Sequence, residues 1–265
     1  DEQEEAYALS LSDNGTVLAV GARFHHGSAG QASGYVRIFQ YNTNQGEWVL
    51  LGKDISGEYA FDESGYSVSL SGNGQFVAVS SIFNSDGGFG AGHVRVYGYD
   101  SSRQEWFLLG KDLDGGKPGD RFGSSVALSQ DGMTLAATAL SLDGHDDDSD
   151  DGGGGDSVSV FRYLPISDVW VRVGQQRISV AGIVSISLSN DGTTLAIGSS
   201  HEQHAEHLVT VYRYNANSQA WMGLGQAIGI SSFASGGIRV NLSGDGKRVA
   251  VGSIQQGGNQ HTGMA

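Results

Sequence analysis

A short segment returns five times along this chain, and no other feature of the sequence restricts the fold as tightly. It first reads Leu9-Ser-Leu-Ser-Asp-Asn-Gly15-Thr-Val-Leu-Ala-Val-Gly-Ala22, then comes back over residues 68–81, 126–139, 186–199 and 240–254. The turn glycines Gly15, Gly74, Gly132, Gly192 and Gly246 are spaced 59, 58, 60 and 54 residues apart. A second segment follows each of the first four copies, at 35–41, 93–99, 157–163 and 208–214, and each leads on to a tryptophan. Trp48, Trp106, Trp170 and Trp221 are all the tryptophans of the chain, and they share one repeat position. A shared position implies a shared structural task, so these rings are read as packing between repeats.

Each piece alternates with period two, is rich in Val, Ile, Tyr and Phe, and is bounded by Gly, Asn, Asp and Ser, which is the pattern of short antiparallel strands. Asp13-Asn-Gly15, Gly72-Asn-Gly74 and their three counterparts supply the positive φ that tight hairpins need. Four strands per repeat of roughly 50–60 residues, with no helical periodicity, predict radial blades rather than a sandwich. The expected fold is an all-β propeller in one domain, with repeats at 6–57, 65–115, 123–178, 183–230 and 237–265. The fifth repeat is expected to stop after its second strand, near Ser253. That leaves either a continuation into a larger propeller or an open blade that pairs with another chain.

Composition excludes several functions. There is no cysteine, so disulfides, thiolate metal sites and thiol nucleophiles are ruled out together. A formal charge of −14 without a clustered basic face argues against nucleic acid as a partner. The apolar runs are too short to insert into a membrane as a helix.

The stretch Gly119-Asp-Arg-Phe122-Gly123-Ser-Ser-Val, followed by Leu-Ala-Ala-Thr-Ala139, and the triplet Val20-Gly21-Ala22 resemble the FG-GAP repeat. That repeat builds the N-terminal propeller of integrin α subunits and occurs in secreted and surface proteins. The resemblance implies a propeller, part of a larger one of up to seven blades, an extracellular or cell-surface setting and a role in adhesion or protein binding. It also implies calcium in Asp-rich loops between the first two strands of a blade. Here that position holds only a tight turn such as Ser129-Gln-Asp-Gly132, with too few oxygens for a six- to eight-ligand site, so those sites are not carried over.

Length variation concentrates in the connections between the second and third strands, and variable loops on a rigid scaffold are where function is placed. The third such connection, 141–156, holds seven carboxylates. It is read either as a solvated acidic loop or as a weak calcium site with Asp143, Asp146, Asp148, Asp150 and Asp156 as ligands. The first and fourth carry His25, His26, His201, His204 and His207, placed on the loop face as partner contacts. The inner strands contain Ser but no Asp or Glu. The leading expectation is therefore a non-catalytic scaffold, with no cofactor beyond calcium, that binds a protein or glycan through the loop face. The second is a structural subunit completed by strand pairing, and the third a propeller glycosidase or lyase using Asp62, Glu63 and Asp120 on the loops that join one blade to the next.

Overall fold

The computed structural model describes residues 6–140, 155–201, 206–231, 237–257 and 260–264. Among these residues it contains strands and turns and no helix. The first blade is β1 (Ala8–Leu11), β2 (Val17–Ala22), β3 (Tyr35–Asn42), β4 (Glu47–Leu50) and β5 (Ile55–Ser56). The second is β6 (Val68–Leu70), β7 (Phe76–Ser81), β8 (His93–Asp100), β9 (Glu105–Leu108) and β10 (Leu113–Asp114). The third is β11 (Val126–Leu128), β12 (Thr134–Ala139), β13 (Ser157–Leu164), β14 (Val169–Arg172) and β15 (Ile178–Ser179). The fourth is β16 (Ile183–Leu188), β17 (Thr194–His201), β18 (Glu206–Asn215), β19 (Ala220–Gly223) and β20 (Ile228–Ser231), and the fifth is β21 (Ile238–Leu242), β22 (Val249–Gly257) and β23 (Gln260–Met264).

All pairings within a blade are antiparallel, in chain order from the innermost strand outwards. The expected fourth strand is two strands. In blade one, β4 pairs with the far half of β3 through Phe39↔Leu50 to Asn42↔Glu47, and β5 pairs with its near half at Tyr35↔Ser56 and Val36↔Ile55. Gly52 sits at the break with φ 77°, a conformation that glycine adopts without a Cβ penalty. The fifth blade also exceeds expectation, because β23 pairs with β22 from Ser253↔Met264 to Gly257↔Gln260. Its sequence lacks the Val/Tyr alternation of the other third strands, so pattern alone passed over it.

Four hydrophobic cores lie between consecutive blades. Val36, Ile38, Val68 and Val77 belong to the first, between blades one and two; Val94, Val96, Val126 and Leu135 to the second; Val158, Val160, Ile186 and Leu195 to the third; and Val209, Ile238 and Val240 to the fourth. Burying one such side chain contributes about 1.5–3 kcal/mol. Polar bonds reinforce every junction. The indole N–H groups of Trp106, Trp170 and Trp221 donate to the carbonyls of Leu51, Leu109 and Val173 of the preceding blade at 2.8, 2.8 and 3.0 Å.

The innermost strands explain the repeated serines. Ser10, Ser69 and Ser187 Oγ accept from Leu70, Leu128 and Leu242 N–H of the next blade at 2.8, 3.0 and 2.9 Å. Ser67, Ser125 and Ser185 do the same for Val126, Ile186 and Val240. Adjacent inner strands splay too far apart to form a ladder, and a short hydroxyl spans the gap to satisfy N–H groups that would otherwise be buried unpaired. At the hairpin tips, Asp13, Gly72, Gln130 and Asn190 N–H donate in turn to the carbonyls of Gly72, Gln130, Asn190 and Gly244, which ties all five blades at one end.

Candidate functional site

The connection from β5 to β6 and the connection from β7 to β8 meet on one face of the propeller. They enclose a cavity of about 610 Å³. Its wall is aromatic, from Tyr59, Phe61, Phe83 and Phe89, and is broken by the carboxylates of Asp62, Glu63 and Asp86. Tyr59, Phe61 and Phe89 are exposed at its rim. Flat apolar faces beside a few acidic oxygens suit a ring that has one apolar and one polar side.

Glu63 stands where this cavity approaches the central channel. Its carboxylate Oε2 accepts from Arg23 Nη1 at 3.1 Å. The Arg23 guanidinium lies over Tyr7, Phe24 and Tyr66, at 3.9, 4.1 and 4.8 Å from the ring centroids. Tyr7 and Tyr66 in turn line the channel, a space of about 590 Å³ bordered by Ser67, Ser125, Ser185 and Arg239. Arg121 lies over Phe83, 5.2 Å from its centroid, and its positive charge also reaches Glu63. Burial raises the Glu63 pKa above the ordinary 4.5, against the opposing pull of Arg23 and Arg121. The Nε–H groups of both arginines are buried without an acceptor among the described residues. One basic oxygen pair is thus held between two cations whose donors are not fully used.

Glu63 and Arg121 occupy the same position in successive repeats, and both backbones are left-handed, with φ 54° and 43°. Holding a non-glycine residue there costs on the order of 1 kcal/mol. Their neighbours Asp62 and Asp120 have a structural task. Asp62 Oδ2 accepts from Tyr59 N–H and from Asn84 Nδ2, both at 3.2 Å, and Asp120 Oδ2 accepts from Gly116 and Lys117 N–H at 2.9 Å. Each closes the turn that carries its blade into the next.

The residues singled out from sequence are dispersed. Asp143, Asp146, Asp148 and Asp150 lie outside the described residues. Asp156 Oδ2 accepts from Gly182 and Ile183 N–H at 2.8 and 3.3 Å, joining blade three to blade four. His25 packs edge-on against Tyr35 at 4.6 Å, and His26 Nδ1 accepts from Ala32 N–H at 3.1 Å. The side chains of His201 and His204 lie outside the described residues. His207 is buried, so it cannot serve as a contact on an exposed loop face. Arg23 and Arg121 were not singled out. The one sequence signal for them was the change from Glu63 to Arg121 at a single repeat position.

Solved structures with this architecture are similar over most of the chain. A putative 6-phosphogluconolactonase from Bacteroides uniformis is 14% identical with a TM-score of 0.55, over 86% of this chain and 55% of its own. A periplasmic gluconolactonase from Pseudomonas aeruginosa is 16% identical with a TM-score of 0.57, over 97% of this chain and 70% of its own. The Dos1 propeller is 13% identical with a TM-score of 0.51, over 95% of this chain and 56% of its own. The chain therefore spans little more than half the length of the Bacteroides structure. No family model and no curated protein matches the chain. At these identities the likeness establishes the β-propeller and nothing narrower.

The comparisons correct the expectation of a non-enzymatic scaffold. Two propellers of this architecture bear the names of a putative 6-phosphogluconolactonase and a gluconolactonase, so the fold does not speak for a non-catalytic scaffold. Among the loop carboxylates Asp62, Glu63 and Asp120, two are tied into turns by hydrogen bonds, Asp62 to Tyr59 and Asn84 and Asp120 to Gly116 and Lys117. Glu63, the third, lines the cavity with its carboxylate beside Arg23 and within reach of the Arg121 charge.

Proposed function

We propose that this chain belongs to a propeller hydrolase that opens a cyclic ester of a sugar acid at the junction of the aromatic cavity and the channel. The observation that carries the reading is Glu63, a half-desolvated carboxylate flanked by Arg23 and Arg121. Glu63 acts as general base: it takes a proton from water as the water oxygen bonds to the lactone carbonyl carbon. The negative charge that develops on the carbonyl oxygen is stabilised by the two guanidinium groups. The bond from that carbon to the ring oxygen then breaks, the ring oxygen takes up the proton, and an open hydroxy acid leaves. Tyr59, Phe61 and Phe89 supply apolar faces for the C–H side of the ring. The FG-GAP resemblance, which rests on the repeat residues alone, bears on ancestry and not on this chemistry.

The test is hydrolysis of glucono-δ-lactone, followed by acid release against the spontaneous rate. Acceleration by the wild-type chain and a fall of about 100-fold or more in kcat for Glu63→Gln are expected, in line with the loss of a general base. A rate no faster than the spontaneous one, or a Glu63→Gln variant as fast as wild type, overturns the reading.

A further inference from the structure

Beside the aromatic cavity, blade two carries a cluster that the proposed hydrolysis does not use. Glu58, Asp86, His93 and Asp112 each present one ligand-type atom, and all four atoms lie within 4.8 Å of one another. His93 opens β8 and is only 2% exposed. Its Nδ1 has no hydrogen-bond partner among the described residues and faces Asp112 Oδ2 from 3.9 Å, too far for a hydrogen bond. A buried imidazole nitrogen without a partner is costly unless something else occupies the space in front of it.

The repeat separates structural from additional residues. Blade one has Arg37 at the position of Arg95 and Asp54 at that of Asp112, and these form a two-bonded pair at 2.9 and 2.8 Å. Arg95 likewise donates through Nη2 to Asp112, at 2.5 Å, and also to Glu58, at 2.6 Å. The arginine–aspartate pair is thus common to blades one and two, while blades three and four have Ser159 and Thr210 at the arginine position. The other members are not shared between the two blades: Tyr35 stands in blade one where blade two has His93, and the connection leaving blade two has Gly116 where the one leaving blade one has Glu58. Asp86 comes from the connection between β7 and β8. Three carboxylates against one guanidinium leave an excess of negative charge, and Asp114, which pairs with His93 across β10 and β8, adds to it.

We propose that Glu58, Asp86, His93 and Asp112 form a binding site for a divalent transition-metal ion of the zinc or manganese type. Three carboxylate oxygens and one imidazole nitrogen are a donor set such ions accept. Bonds of about 2.1 Å place tetrahedral ligand atoms about 3.4 Å apart, so side-chain adjustment of the order of an ångström closes the site. The ion takes over the neutralisation of Glu58 and Asp112 that Arg95 now provides. It also ties the loop leaving blade one, through Glu58, to the loop of blade two that carries Asp86. Because Asp86 lines the aromatic cavity as well, the ion stands at the cavity wall.

The test needs no substrate, so its outcome is separable from that of the lactonase assay. Zn²⁺ is titrated into the metal-free chain by calorimetry, with thermal melting as a second readout. One ion per chain is expected, with a higher melting temperature. Affinity should weaken at least tenfold in Glu58→Gln and in Asp86→Asn, both exposed positions whose replacement leaves the fold intact. Asp54→Asn, in the blade-one pair, should leave it unchanged. Replacing Asp143, Asp146, Asp148 and Asp150 together by Asn should also leave it unchanged. Absence of binding overturns the proposal, as does binding that survives Glu58→Gln and Asp86→Asn or disappears with the four Asn replacements alone.

Discussion

Arg23 does two things at Glu63, and they act on different observables. Its charge holds the carboxylate towards the ionised form against desolvation, and in the proposed hydrolysis its guanidinium also stands among the groups that stabilise developing negative charge. A base must be ionised to work, so the proposed hydrolysis should rise with pH through the Glu63 pKa, which burial places above 4.5. Removing the positive charge removes a lowering influence and moves that pKa further up. In Arg23→Gln the ascending limb of the kcat/KM profile should therefore shift to higher pH, and the plateau should fall as well. A limb that stays in place or moves to lower pH would show that another group is titrating. Arg121→Gln should move the limb in the same direction by a smaller amount, since its influence on Glu63 ranks below that of Arg23.

The strand that splits in two has a reason at each blade junction. Where β14 of blade three brings Trp170 against blade two, the indole rests on Gly110, which has φ 73° and would place a Cβ 2.9 Å from Trp170 Cδ1. Gly52 under Trp106 and Gly174 under Trp221 repeat the arrangement. Gly110→Ala thus meets two penalties, a left-handed backbone and a displaced indole that loses its bond to the Leu109 carbonyl. A loss of about 2 kcal/mol in urea unfolding is expected, with a change in tryptophan fluorescence; a loss below about 0.5 kcal/mol would mean that the junction yields freely. At this scale much was legible in advance. The strands, turns and phase-locked tryptophans could be read because packing recurs with the repeat. The division of the outer strand and the presence of β23 could not, because a two-residue strand and an unpatterned one carry no periodic signal. Glu63 was visible as a loop carboxylate, whereas Arg23 joins it only through folding, forty residues away in the chain. His93 looked like one more first residue of a third strand, and only the fold shows its nitrogen facing three carboxylates.

Across the whole molecule, the repeat makes each blade a test of the next. Val68, Val126, Ile186 and Val240 share one inner-strand position and are buried to within 7–8% exposure, yet Leu9 at that position in blade one is 65% exposed. Leu70, Leu128, Leu188 and Leu242 are buried likewise, whereas Leu11 is 55% exposed. Trp48 is exposed too, while the other three tryptophans are partly buried against the preceding blade. These side chains have the chemistry of a blade junction on a face that no blade among the described residues covers. Exposed apolar side chains of this kind are expected to bind 8-anilinonaphthalene-1-sulfonate. Leu9→Ser combined with Leu11→Ser should lower the fluorescence enhancement of the folded chain, with little loss of stability, because neither side chain contributes to a buried core. The equivalent pair in blade two, Val68→Ser with Leu70→Ser, should instead destabilise the fold by several kcal/mol, since both are core residues of the first junction. Equal effects from the two double variants would mean that blade one's inner face is covered in solution, and the contrast between the blades would lose its physical basis.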